Sequence, residues 1–280
     1  MRLTGILIAV VLSISCDLAD ADDWPEWGGG PSRNMASDAK NLPASFGPGK
    51  QTEGLRRIDM STTRNVKWAI TLGSQTYGNP VVSGGKIIVG TNDSALTDER
   101  FKRTRGGLVI CCDAETGKTL WQLVVPRQEL REKWFYINQM NLGICNSAAI
   151  EGDKAYIVSS RGDVLCLDMN GQADGNDGAF KDEGQYMVPK DRPAAELNKS
   201  DADIIWRYDL IAELPLRPHD AMSCSVLIHG DFIYAGTSNG VDLSHINVLY
   251  PDAPSLIVLN KKSGKLVAKD NEKIGRRMLH

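Results

Sequence analysis

The sequence is poor in features that would assign a chemistry on sight. It has no Gly-x-Ser-x-Gly elbow, no His-Glu-x-x-His pair and no phosphate-binding loop, so the usual hydrolase, zinc-peptidase and nucleotide-site signatures are missing. Basic charge is not in excess: 32 Lys and Arg against 35 Asp and Glu leave a formal charge of −3, which argues against a nucleic-acid partner. After the first residues no apolar run is long enough to cross a bilayer. The six cysteines show neither metal-ligand spacing nor a disulfide framework. Only four histidines occur, His219, His229, His245 and His280; His245 follows Asp242 by three residues, and a surface polar loop is preferred there to a general base.

The amino terminus reads as a leader. Met1-Arg2 precedes an apolar run from Leu3 to Ile14, and Ala19-Asp20-Ala21 forms a cleavage site. Residues 1–21 are therefore expected to be a signal peptide, with the mature protein periplasmic or extracellular. The alternative reading takes Ser13-Ile14-Ser15-Cys16 as a lipid-attachment box. Residues 22–65 form an irregular lead-in rich in Gly, Pro, Ser and Asn, expected to cover one end of the fold.

What the sequence does contain is a repeat. The stretch Cys111-Cys112-Asp113-Ala114-Glu115-Thr116-Gly117-Lys118-Thr119-Leu120-Trp121 places turn chemistry between two strand-like arms. Asp113 and Thr116 cap turn amides, and Gly117 supplies the positive φ of a bulged hairpin. Val258 to Val267 repeats the layout, with Asn260 for Asp and Ser263 for Thr. Cys166-Leu167-Asp168-Met169-Asn170-Gly171 begins a further copy, whose partner strand resumes at Asp203-Ile204-Ile205-Trp206 after a long polar insertion. A second hairpin precedes each copy, at Val82, Ile150 and Ile228. Two hairpins make a four-stranded unit, and repetition of such units predicts propeller blades.

The pattern Asp113-x-x-Thr116-Gly117-x-x-x-Trp121 resembles the tryptophan-docking motif of pyrroloquinoline-quinone (PQQ) repeat β-propellers, a family that includes quinoprotein alcohol dehydrogenases and the outer-membrane assembly lipoprotein. Secreted planctomycete-type members share the segments 23–29, 31–35, 73–80 and 237–242. The resemblance implies an all-β fold: a partial β-propeller of three four-stranded PQQ-repeat blades, about 66–125, 146–210 and 222–270, within a propeller region 66–280. Val66 to Leu72, carrying Trp68, is expected to be the ring-closing strand. Trp68, Trp121 and Trp206 are structural residues at blade interfaces, and Ala268 stands where the third blade's Trp belongs. Since a closed ring takes at least about four blades, the chain is read as the N-terminal part of a longer protein. Its open blade faces would then favour self-association or a partner.

Two functions follow from these readings. The first is an exported binding or scaffold propeller of the cell envelope, without catalysis, taking a protein or small-molecule ligand at a propeller mouth. His219 and His245 lie in loops that could face such a mouth. The alternative is a PQQ-dependent alcohol or sugar dehydrogenase using PQQ and calcium, although no residues here match that family's calcium ligands or base. Asp168, Asn170, Asp174 and Asp177 are candidate calcium ligands, set against a turn-rich surface loop. Cys111, Cys166 and Cys224 are expected as small buried strand residues, and a Cys111–Cys112 vicinal disulfide is disfavoured because strand neighbours point to opposite faces. The basic run Arg100 to Arg105 is expected to be a solvated loop, with anion contact as the alternative.

Overall fold

The computed structural model describes residues 23–54, 57–127, 141–219, 221–242 and 244–276. The expected leader (1–21) lies outside these residues. In the lead-in, β1 (Lys50–Gln51) and β2 (Ile58–Asp59) form a minimal antiparallel pair.

Three four-stranded antiparallel meanders follow, a partial β-propeller. The first is β3 (Val81–Ser83), β4 (Lys86–Asn92), β5 (Gly107–Asp113) and β6 (Thr119–Val125). The second is β7 (Ala149–Glu151), β8 (Lys154–Val158), β9 (Asp163–Asp168) and β10 (Ile204–Asp209). The third is β11 (Leu227–His229), β12 (Phe232–Gly236), β13 (Leu256–Asn260) and β14 (Leu266–Lys269). The first strands adjoin one another, β3 against β7 and β7 against β11, so they line the inside and the fourth strands lie outside.

Strand periodicity builds the two cores. In the middle blade Ala155, Ile157, Leu165 and Leu167 face the first blade, while Tyr156, Val158, Val164 and Cys166 face the third. Successive side chains leave opposite faces of a strand, so each blade serves two interfaces at once. Both cores exclude solvent from large side chains: Trp121, Leu123, Leu165, Ile204, Ile233 and Ile257 are all fully buried.

Val66 to Leu72 keeps a strand's alternation, with Val66, Trp68, Ile70 and Leu72 half-buried and Lys67, Ala69 and Thr71 exposed. It joins no ladder among the described residues. Ile70 and Leu72 pack on the core of the first blade. That cover, with the second blade opposite, is why Cys111 and Cys112 in β5 are both buried. At the other end all four residues of β14 are exposed, Ala268 among them.

The start of the lead-in crosses the inner strands. Trp24 exchanges both backbone hydrogen bonds with Val82, at 2.8 and 2.9 Å. The carbonyl of Pro25 accepts from Ile150 N at 2.8 Å. Arg33 donates to the carbonyl of Val226, just before β11, at 2.9 Å. One short segment thus touches the inner edge of each blade.

Candidate functional site

The turns between third and fourth strands carry the repeated motif. In the first blade Asp113 Oδ1 accepts from Thr116 N at 2.7 Å and Thr116 Oγ1 at 2.6 Å. Gly117 N donates to Asp113 O at 2.8 Å, with Gly117 at φ +70°. In the third blade Asn260 Oδ1 accepts from Ser263 N and Ser263 Oγ, both at 3.0 Å, and Gly264 takes φ +68°. Asn and Ser therefore reproduce the cap that Asp and Thr make.

Each turn receives the tryptophan of the preceding repeat. Trp68 donates its indole N–H to Ala114 O at 2.9 Å and lies over Gly117. Trp121 donates to Met169 O at 3.0 Å and lies over Gly171. Trp206 donates to Lys261 O at 2.9 Å and lies over Gly264. A Cβ on any of these glycines would come within 2.5 to 2.8 Å of the ring, so the close approach and the positive φ both demand glycine.

On the opposite end the connections between blades converge on a cavity of about 550 Å³. Its lining includes Tyr77, Cys145, His219 and Cys224, with the Thr237–Gly240 segment. Tyr77 belongs to 73–80 and Thr237–Gly240 to 237–242, so two segments singled out in the sequence meet at one mouth. His219 is held by its backbone N–H to Ser238 O at 3.0 Å and by a ring contact from Nδ1 to Val241 O at 3.0 Å. The His245 ring packs edge-on against it, with centroids 4.8 Å apart. Asp242 spends its carboxylate on the turn, accepting from Ser244 N and Ser244 Oγ at 3.0 and 2.5 Å and from Asn247 Nδ2 at 3.2 Å. These bonds, that from Ser244 foremost, hold its carboxyl below the usual range. His229 is exposed at the end of β11, away from the cavity.

A family model described as outer membrane protein assembly factor BamB, built on the PQQ repeat, matches residues 52–177 and again 98–272. The chain belongs to this family. BamB-family membership accounts for the repeated docking turns. No curated protein sequence matches. Among solved structures the chain is similar to quinohemoprotein alcohol dehydrogenase from Comamonas testosteroni, at 13% identity and TM-score 0.48, covering 89% of this chain and 27% of that one. It is also similar to BamB from Moraxella catarrhalis, at 13% identity and TM-score 0.33, covering 70% of this chain and 37% of that one. It thus spans less than two-fifths of the length of either.

Against the BamB-family frame, several expected site residues find other work. Asp168 accepts from Lys154 Nζ at 2.7 Å and from Asn170 N at 2.7 Å. Asn170 donates to Asp174 at 2.7 Å and accepts from Lys86 Nζ at 2.5 Å. Asp177 contributes its backbone N–H to Asp203 Oδ2 at 2.8 Å. Local turns and lysines thus use these groups, and no cluster of three or more acidic, His or Cys side chains able to hold a metal occurs among the described residues.

Cys224 departs from expectation: it is exposed in the connection before β11, not buried in a strand. Cys111, Cys112, Cys145 and Cys166 are buried free thiols. Burial pushes Cys145 up to about 11 and Cys111 and Cys166 up to about 12. Arg100 is not simply solvated either. It forms a two-pronged pair with the fully buried Asp201, at 2.7 and 2.8 Å, tying the first blade to the insertion of the second.

The mouth cavity does not fit PQQ. That cofactor is a polycarboxylate, and the dehydrogenase reading pairs it with calcium. Among the described residues the lining holds no Lys or Arg to meet its carboxylates and no Asp or Glu to ligate the metal.

Proposed function

We propose that the chain is an exported, envelope-associated propeller that binds a partner at its mouth cavity and holds it without chemistry of its own. The observation that carries this reading is the character of the lining: hydroxyls, an amide, the Tyr77 ring, the His219 imidazole, the Cys145 and Cys224 thiols and small residues, with no Asp, Glu, Lys or Arg among the described residues. Such a surface suits an uncharged, hydrogen-bonding ligand such as a peptide segment. The leader-like amino terminus supports export, and no helix among the described residues is long and apolar enough to cross a membrane.

A photo-reactive residue placed at Ser238 in the mouth and, separately, at the exposed Lys265 on the far side tests the reading. Crosslinking in the source envelope to one discrete species from Ser238 and not from Lys265 is expected. Dye reduction with alcohols or aldoses that depends on added PQQ and calcium would instead establish the dehydrogenase reading.

A further inference from the structure

A second cavity, of about 680 Å³, lies between the strand-two-to-three loop of the first blade and the long insertion of the second. Its charge is the reverse of the molecule's. Among the described residues, six cations line it, Lys102, Arg103, Arg127, Arg161, Lys190 and Arg207, against two acids, Asp182 and Asp191. The whole chain carries a formal charge of −3, so this is a local concentration of positive charge in an acidic protein.

The guanidiniums are held in place. Arg207 donates to Asp163 Oδ1 at 2.6 Å and to Asp209 Oδ2 at 2.5 Å. Arg161 lies 3.9 Å from the other oxygen of Asp163 and donates to Tyr186 O at 3.0 Å. Its guanidinium stacks 4.4 Å from the centre of the Tyr186 ring, and the Tyr186 hydroxyl donates to Asp163 at 2.9 Å. Arg103 donates through Nε and Nη2 to Leu96 O at 2.9 and 2.8 Å, a contact that orients it and neutralises nothing. Asp163 and Asp209 lie behind the wall and hold Arg207 in place. Phe180, Tyr186 and Val188 supply an apolar wall beside this charge.

We propose that this cavity binds a small polyanion, a molecule with two or more carboxylate or phosphate groups on a compact body. Fixed guanidiniums recognise such oxyanions through paired hydrogen bonds, and lysines at the rim add attraction at little cost in order. The volume is that of an ordinary small-ligand site. The site is separate from the mouth cavity and stands whether or not the mouth binds a partner.

Citrate and pyrophosphate are the probes, titrated calorimetrically into the full chain at about 0.15 M salt. The expected result is saturable binding of at least one, with Kd below about 1 mM. The one that binds more tightly tells carboxylate from phosphate. The rim double variant Lys102→Gln/Lys190→Gln, at exposed positions, should keep the melting temperature of the ligand-free protein and weaken binding by about tenfold or more. Arg103→Gln should weaken it as well. Failure of both probes to bind, or equal affinity in the double variant, overturns the proposal.

Discussion

Trp121 in the first blade donates its indole N–H to Met169 O in the second at 3.0 Å, with its ring over Gly171. The residue is fully buried. One side chain thus closes an interface between repeats through packing and one hydrogen bond. Trp121→Ala should destabilise the chain by about 3–5 kcal/mol. Met169 O also accepts from Lys86 Nζ at 2.9 Å, so Trp121→Phe leaves it paired and should cost less, about 1–2 kcal/mol. Urea denaturation of the two variants measures the difference.

The glycine beneath the ring gives a second test. Gly117 and Gly84 both have positive φ, at +70° and +56°. A Cβ at Gly117 would meet Trp68 at 2.6 Å, whereas at Gly84 nothing lies within 4 Å. Gly84→Ala should cost only the backbone penalty, about 1–2 kcal/mol. Gly117→Ala should cost that and about 1–3 kcal/mol more for displacing the indole. Equal losses in denaturation would mean that Trp68 does not dock there.

The docking turns were legible because their chemistry is local. Asp113, Thr116 and Gly117 sit within five residues, and the cap they form is the one their side chains specify. The Asn260-Ser263-Gly264 copy reads the same way. The insertion was not legible, because its packing is non-local. Asp201 finds Arg100 from another blade, and Glu183 is buried against the start of β10. Of the candidate calcium ligands, Asp168 bonds Lys154 and Asn170 bonds Lys86, contacts that no local pattern announces. Cys224 lies three residues before β11 begins at Leu227, so it falls in the connection and not in the strand. The mouth cavity had a partial signal: two segments picked out by resemblance line it together, though nothing in sequence said they meet.

Asp203 makes stability depend on pH. Its side chain is fully buried, Oδ2 accepts from Asp177 N, and Oδ1 has no hydrogen-bond partner among the described residues. Burial pushes its carboxyl from 3.8 up to about 6, and the neighbouring carboxylate of Glu183 adds to the rise. The folded state therefore binds this proton more tightly than the unfolded state. The stabilisation is complete below about pH 4 and is lost as pH rises through about 6, a change on the order of 2–3 kcal/mol. Asp203→Asn should flatten this part of the stability profile between pH 4 and 7, as followed by denaturant midpoints.

The Arg100–Asp201 pair should resist salt. Asp201 is fully buried, so removing its partner strands a charge. Arg100→Met is expected to cost about 3–5 kcal/mol, with little change between low and high ionic strength. A loss that disappears at high salt would show a surface interaction instead.

Thiol labelling separates Cys224 from the rest. In the native protein an alkylating reagent should modify Cys224 and spare Cys111, Cys112, Cys145 and Cys166, which become reactive only after denaturation. Mass spectrometry of the peptides reads this directly. Because Cys224 lines the mouth, a bound partner should slow its modification.

The most direct test of the docking relay is hydrogen exchange at the indole N–H groups, resolved by nitrogen-labelled tryptophan NMR. Trp121 and Trp206 should be strongly protected and Trp68 measurably so, because each donates to a backbone carbonyl of the next turn. Trp27, 42% exposed, should exchange fast. Exchange of Trp121 as rapid as that of Trp27 would contradict the arrangement of blades described above.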